Sequence, residues 1–161
     1  MTFSVKNKFV SLGGSSFVTD DAGNKMFKVK GKVFSPTRKK ILCDAAGKKL
    51  FVIRNKFWHF FRKSAFIYNA EGEKILKLTK KVWTNHFLVE TYDADVDVDG
   101  NWIGWNLDVL RDGEVIGHIS RRLTIVRDAF IVDTINPDDN ALLTAIVIAI
   151  DNIFDADKVR T

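Results

Sequence analysis

A chain of 161 residues that is 46% hydrophobic and 28% charged, with thirteen phenylalanines and two prolines, has the make-up of one globular domain with a sizeable core. This excludes a disordered or low-complexity chain, and a single cysteine, Cys43, excludes an internal disulfide framework and fits a reducing compartment. The net charge of +5 is unevenly placed: residues 1–92 carry 19 Lys and Arg against 6 Asp and Glu, a net +13, and residues 93–161 carry 6 against 14, a net −8. Such asymmetry marks an anionic partner, unless strands from the two halves interleave and mix the charges.

The chain opens without the basic region and long apolar run of a signal peptide. Short runs rich in Val, Ile, Phe and Leu then predict strands over 3–9, 16–19, 25–34, 39–44, 48–55, 57–69 and 74–79. Further strands are predicted over 86–92, 102–110, 115–121 and 129–133, eleven in all. Met26 to Lys30 and Ile75 to Leu78 alternate apolar with polar, as strands with one wet face do.

A unit recurs between these strands. Asp20-Asp21-Ala22-Gly23-Asn24-Lys25 is echoed by Asp44-Ala45-Ala46-Gly47-Lys48-Lys49 and by Asn69-Ala70-Glu71-Gly72-Glu73-Lys74. The first side chain can bond its own backbone and the glycine supplies a positive φ, so each unit predicts a tight hairpin turn. Asp99-Gly100 and Asp112-Gly113 predict two more.

The last element differs in kind. Asn136-Pro137-Asp138-Asp139 predicts a helix start, with negative charge at the positive end of the dipole, and a helix over about 139–154 follows. From Ala141 to Ile150 only Thr144 carries a side-chain polar atom. A helix apolar on every side must be surrounded on every side. It is too short to cross a bilayer, which needs about 20 apolar residues. The fold expected is mainly β: a closed antiparallel barrel around a buried C-terminal helix, in one domain spanning 1–161.

Sites of chemistry are scarce. No nucleophile elbow accompanies His59, His86 or His118, and no Cys/His spacing suits zinc. Cys43 reads as a small buried hydrophobe within a strand. The run Asp95-Val96-Asp97-Val98-Asp99-Gly100 begins like a calcium loop, but its twelfth position is Asn106 where a bidentate Glu is needed. It reads as an acidic strand end entering a hairpin. No catalytic residue, cofactor or metal is expected.

Anion binding is the strongest signal. Arg38, Lys39, Lys40, Lys48, Lys49, Lys56, Trp58, Arg62 and Lys63 gather cations and an aromatic ring in the basic half. Such a set suits an anionic membrane interface, with Trp at headgroup depth and Lys on phosphates, or nucleic acid, with rings on bases, or it is simply the basic outside and aromatic core of a soluble barrel. Because neighbours on a strand point to opposite faces, one of each adjacent basic pair is expected inward or at a rim.

The order of features resembles the LURP-one-related family, which is akin to the tubby C-terminal domain and the phospholipid scramblases. The resemblance is carried by Lys39-Lys40-Ile41-Leu42-Cys43-Asp44 with the Gly47 turn, and by the run from Lys56 to Tyr68 with Gly72. It continues through Gly117-His118-Ile119-Ser120-Arg121-Arg122 and Ala129-Phe130-Ile131-Val132-Asp133, and ends at Ala149-Ile150-Asp151. It implies about twelve strands enclosing a hydrophobic helix. Members of the family similar to this chain are mostly without assigned activity; with the basic half of the chain, the reading is a non-enzymatic domain of largely uncharacterised role that binds anionic phospholipid or another acidic partner, in the cytoplasm and peripheral to a membrane. The alternatives are a nucleic-acid-binding or transcription-linked module, and a small enzyme with an unrecognised site.

Overall fold

The computed structural model describes residues 1–6, 15–31, 35–56, 63–80, 87–92, 95–101, 105–122 and 129–158. Twelve strands follow in order: β1 (Thr2–Lys6), β2 (Ser15–Asp20), β3 (Lys25–Gly31), β4 (Lys40–Asp44), β5 (Lys49–Asn55), β6 (Ser64–Tyr68), β7 (Lys74–Lys80), β8 (Phe87–Thr91), β9 (Val96–Asn101), β10 (Asn106–Arg111), β11 (Glu114–Arg122) and β12 (Ala129–Thr134). A 3₁₀ turn at Pro137–Asp139 leads into one helix, α1 (Asn140–Lys158).

All pairings are antiparallel, and the order is β8-β7-β6-β5-β4-β3-β2-β1-β12-β11-β10-β9. The sheet is a meander whose first and last strands are joined through β1 and β12, where Phe3 faces Val132 and Val5 faces Phe130. It is a nearly closed barrel. The seam lies between β8 and β9, which among the described residues are the only neighbours around the barrel that share no ladder.

Three hairpins repeat one geometry. The side chains of Asp20, Asp44 and Asn69 accept the backbone N–H of Asn24, Lys48 and Glu73, each at 2.8 Å. Gly23, Gly47 and Gly72 hold φ of 84°, 92° and 97°, the region the sequence unit required of them. The Asp112-Gly113 turn is also as expected, linking β10 to β11. Asp99-Gly100 is not a turn. It lies inside β9, with Gly100 opposite Leu107, so β9, a strand beyond the eleven expected, occupies a stretch that its Asp-Gly pair marked for reversal.

Inward residues of the strands meet α1. Residues 142–153 of the helix are all buried, and Phe3, Val29, Leu42, Ile53, Ile67, Leu78, Leu107, Ile119 and Phe130 close round it. Each such side chain contributes about 1.5–3 kcal/mol on leaving water. That packing overrides the poor helix propensity of Ile146, Val147, Ile148 and Ile150. At Gly117 the barrel wall approaches most closely, since a Cβ there would press into Leu143 and the Asp133 carbonyl. Cys43 is buried, as its strand position predicts.

The helix start follows its sequence signals. Asn136 caps the 3₁₀ turn by accepting from the Asp138 N–H at 3.1 Å. Asp139 pairs with Arg111 at 2.6 Å and Thr134 donates to Asn140 at 2.6 Å. No described helix is long and apolar enough to cross a membrane.

A basic mouth at the C-terminal end of the axial helix

Strand parity sorts the charges along the barrel axis. Four hairpin turns, the facing ends of β8 and β9, and the helix start share one end, which carries Asp20, Asp21, Asp44, Glu71, Glu73, Asp95, Asp112, Glu114, Asp138 and Asp139 beside Lys25, Lys48, Lys49, Lys74 and Arg111. At the opposite end lie Lys6, Arg38, Lys39, Lys40, Lys56, Lys63, Lys80, Arg121 and Arg122 with the C-terminal half of α1. The negative end of the helix dipole therefore points toward the cations.

Backbone hydrogen bonds tie part of this mouth into an arc. The Asn55 N–H donates to the Thr37 carbonyl at 2.7 Å, Lys56 to Ser64 at 3.0 Å, and Lys80 to Lys63 at 2.9 Å. The segments bearing Arg38, Lys56, Lys63 and Lys80 thus follow one another across β4 to β7.

Arg38 closes the arc under strain. The Ser35–Arg38 turn is fixed by the Arg38 N–H on the Ser35 carbonyl at 2.9 Å and by the Lys39 N–H on Ser35 Oγ at 3.0 Å. Arg38 then adopts φ 47°, a left-handed conformation costing a non-glycine residue roughly 1–2 kcal/mol. Its carbonyl accepts from the Asn152 side chain at 3.1 Å, while Asn55 donates to the Asn152 carbonyl at 3.0 Å. Trp105, with φ 53°, is the other strained residue at this end. Its ring lies 4.6 Å from Phe154 and 5.3 Å from Phe130, and the Arg121 guanidinium sits over it at 4.9 Å. Phe154 also meets Phe87, at 5.9 Å, and Lys80, at 4.7 Å. Aromatic rings thereby bridge β8 to β10 across the unpaired seam.

The structure divides the nine residues singled out from sequence. Arg38, Lys39, Lys56 and Lys63 meet at the mouth, where Arg38 and Lys39 are partly exposed and Lys56 is exposed. Lys40 points inward and is buried, with Nζ 3.7 Å from Asp151 on α1, so its charge is engaged within the barrel. It is the inward member of the pair Lys39-Lys40. Lys48 and Lys49 sit at the opposite, acidic end, in the β4–β5 hairpin. Trp58 and Arg62 fall outside the described residues, as do His59 and His86. Lys80, another cation of the basic half, joins the mouth, as do Lys6, Arg121 and Arg122, which had not been read as anion-binding candidates; hairpin parity, which assigns alternate strand ends to one side, is the signal that finds them.

Around the circumference the charges are also sorted. Strand order follows sequence order, so the halves do not interleave. Strands β2 to β8 form one wall, and Glu90, which accepts from Lys77 at 2.7 Å, is the one acid on it away from the hairpin turns. Strands β9 to β12 form the other wall. There Asp99, Asp108, His118 and Asp133 lie opposite one another in a row. His118 Nδ1 meets Asp108 Oδ1 at 2.5 Å, both half-exposed on the convex outside. Asp97 and Asp99 instead accept the backbone N–H groups of Val98 and Gly100, at 2.8 and 2.7 Å. Extended strand, not a curled loop, carries these acids. Among the described residues no group of three His, Cys, Asp or Glu could hold a metal ion.

The architecture is a nearly closed antiparallel meander barrel of twelve strands threaded by one apolar C-terminal helix. The family model described as LURP-one-related matches residues 1–151, and the chain belongs to that family. Its fold is similar to the X-ray structure of a protein from Arabidopsis thaliana, with 20% sequence identity, a TM-score of 0.57, and coverage of 93% of this chain and 90% of that one. No curated protein matches the chain significantly.

Proposed function

We propose that this LURP-one-related domain is a non-enzymatic binding module that engages an anionic partner, foremost an acidic phospholipid surface, through the basic side of its barrel. One observation carries the reading. The meander keeps the cationic first half together on one wall, with Arg38, Lys39, Lys56 and Lys63 at its mouth end, while Lys25, Lys48, Lys49 and Lys74 lie beside the acids of the hairpin turns. Cations so placed act together, at about 1 kcal/mol for each Lys or Arg near an anionic leaflet. Arg38, Lys39, Lys56 and Lys63 supply the part of that charge fixed by the mouth. A cytoplasmic protein peripheral to the membrane is the matching location.

Vesicle flotation tests the reading. The protein floats with vesicles containing phosphatidylserine and not with neutral phosphatidylcholine, and added salt weakens the association. Equal flotation with both vesicles removes the proposal. A gel shift with nucleic acid at low salt, in the absence of vesicle binding, replaces it with the nucleic-acid reading.

A further inference from the structure

The outward face of β2 to β7 is more than basic. Its strands alternate in character: β3 presents Lys28 and Lys30, β4 presents Ile41, β5 presents Arg54, β6 presents Phe66 and Tyr68, and β7 presents Lys77. Register places them in rows, with Lys30, Ile41, Val52, Tyr68 and Lys74 in one and Arg54, Phe66 and Lys77 in the next. The cations also cap the rings. Lys25 lies 4.3 Å and Lys28 5.9 Å from the centre of Phe17, Lys74 lies 4.6 Å from Phe66 and 5.3 Å from Tyr92, and Arg54 lies 5.8 Å from Tyr68.

Two consequences follow from that arrangement. A ring whose face is covered by an ammonium or guanidinium cannot offer that face to a base, so the stacking on which single-stranded nucleic acid depends is obstructed here. And cations spread along several strands, with the apolar or aromatic outward residues of β4 and β6 between them, do not converge on one point as a phosphate-binding pocket does. They match a plane of phosphates over an apolar layer.

We infer that the barrel docks side-on, with the β2–β7 wall flat against an anionic phospholipid bilayer, and that it reads the surface density of charge rather than one headgroup. This rests on the anionic-lipid reading above and specifies its geometry. The mouth then lies at the edge of the contact rather than at its centre.

The test compares two triple variants by co-sedimentation with vesicles, after thermal melting confirms that each is folded. The wall variant is K28E/K30E/R54E and the mouth variant is R38E/K56E/K63E; if either charge reversal fails to fold, the corresponding Gln substitutions replace it. Vesicles are phosphatidylcholine alone, phosphatidylcholine with phosphatidylserine, and a charge-matched mixture with a phosphoinositide. The expected result is equal binding to the two acidic mixtures, a loss of roughly tenfold or more in the wall variant, and a smaller loss in the mouth variant. A wall variant that binds like the parent while the mouth variant does not overturns side-on docking and leaves the lipid reading standing. Strong preference for the phosphoinositide at matched charge overturns recognition by charge density. A parent protein that binds none of the acidic vesicles overturns both readings. A single-stranded oligonucleotide bound as tightly as vesicles, and lost in the wall variant, assigns the wall to nucleic acid instead.

Discussion

Asn152, near the end of the buried part of the axial helix, donates its side-chain amide to the carbonyl of Arg38 at 3.1 Å, across 114 positions of sequence. The contact does two things. It satisfies a polar group that is otherwise buried among apolar neighbours, and it holds Arg38 in its left-handed conformation. Strain of this kind persists only when surrounding structure over-determines it. Removing the clamp by Asn152→Ala is expected to cost about 1–3 kcal/mol in thermal or urea melts. Arg38→Gly is expected to act oppositely on stability, raising it by up to about 1 kcal/mol, because glycine adopts φ 47° without strain. The same variant loses a mouth cation, so its vesicle binding falls as its melting point rises. Parallel falls in both would show that Arg38 is held there for packing alone.

Lys40 and Asp151 form a buried ion pair between the wall and the helix, with side chains 10% and 6% exposed. Two charges taken from water are costly, and removing one strips the other of this ion pair. Lys40→Met is therefore expected to destabilise the domain by about 3–5 kcal/mol, and the double change Lys40→Met with Asp151→Leu to recover most of that loss. Chemical denaturation of the two variants checks it. A single variant as stable as the parent would exclude this pair from the lumen.

Gly117 and Ile148 probe the fit of helix to barrel. A methyl at Gly117 meets Leu143 and the Asp133 carbonyl, so Gly117→Ala is expected to cost about 1–3 kcal/mol by overpacking. Ile148 is fully buried, and Ile148→Asp places an unpaired charge at the centre of the core, which is expected to unfold the protein outright. Ile148→Val is expected to cost only about 0.5–1.5 kcal/mol. Far-UV circular dichroism distinguishes these outcomes, and a folded Ile148→Asp protein is incompatible with an axial helix.

Acid sensitivity has a local origin at the first hairpin. The Asn24 side-chain amide, then the Asn24 backbone N–H, hold the Asp20 carboxyl below its ordinary value of 3.8. The folded value being the lower, this carboxylate favours the folded hairpin above about pH 3.8, and the benefit is lost as pH falls through the depressed value. Carbon-detected NMR titration is expected to find Asp20 below 3.8 in the parent and less depressed in Asn24→Ala, where the backbone N–H of residue 24 still donates. An unchanged midpoint in that variant would assign the shift to another group.

The barrel and its axis were legible because they rest on local chemistry. An apolar helix bracketed by Asp139 and Asp151, and three Asp/Asn-x-x-Gly turns, need only their own residues to be recognised. The strand β9 was not, because Asp99-Gly100 is a turn signal by composition and only the facing β10 holds it extended. The candidate site was legible as a list and not as a place. Lys39 and Lys40 are adjacent in sequence, yet the partner that draws Lys40 inward is Asp151, 111 positions later. Lys48 and Lys49 resemble Lys39 and Lys40 in composition, and one strand length of β4 carries them to opposite ends.

Because the strands circle the barrel in sequence order, the uneven charge of the chain becomes an uneven field in space. A molecule with one cationic flank and one anionic flank experiences a torque before it touches a charged surface, and approaches it already turned. The effect acts on the rate of encounter, extends about 8–10 Å at physiological salt, and fades as ions screen it. The order of strands in a sheet, ordinarily a matter of folding, thus sets how quickly and which way round this protein would arrive at a charged surface.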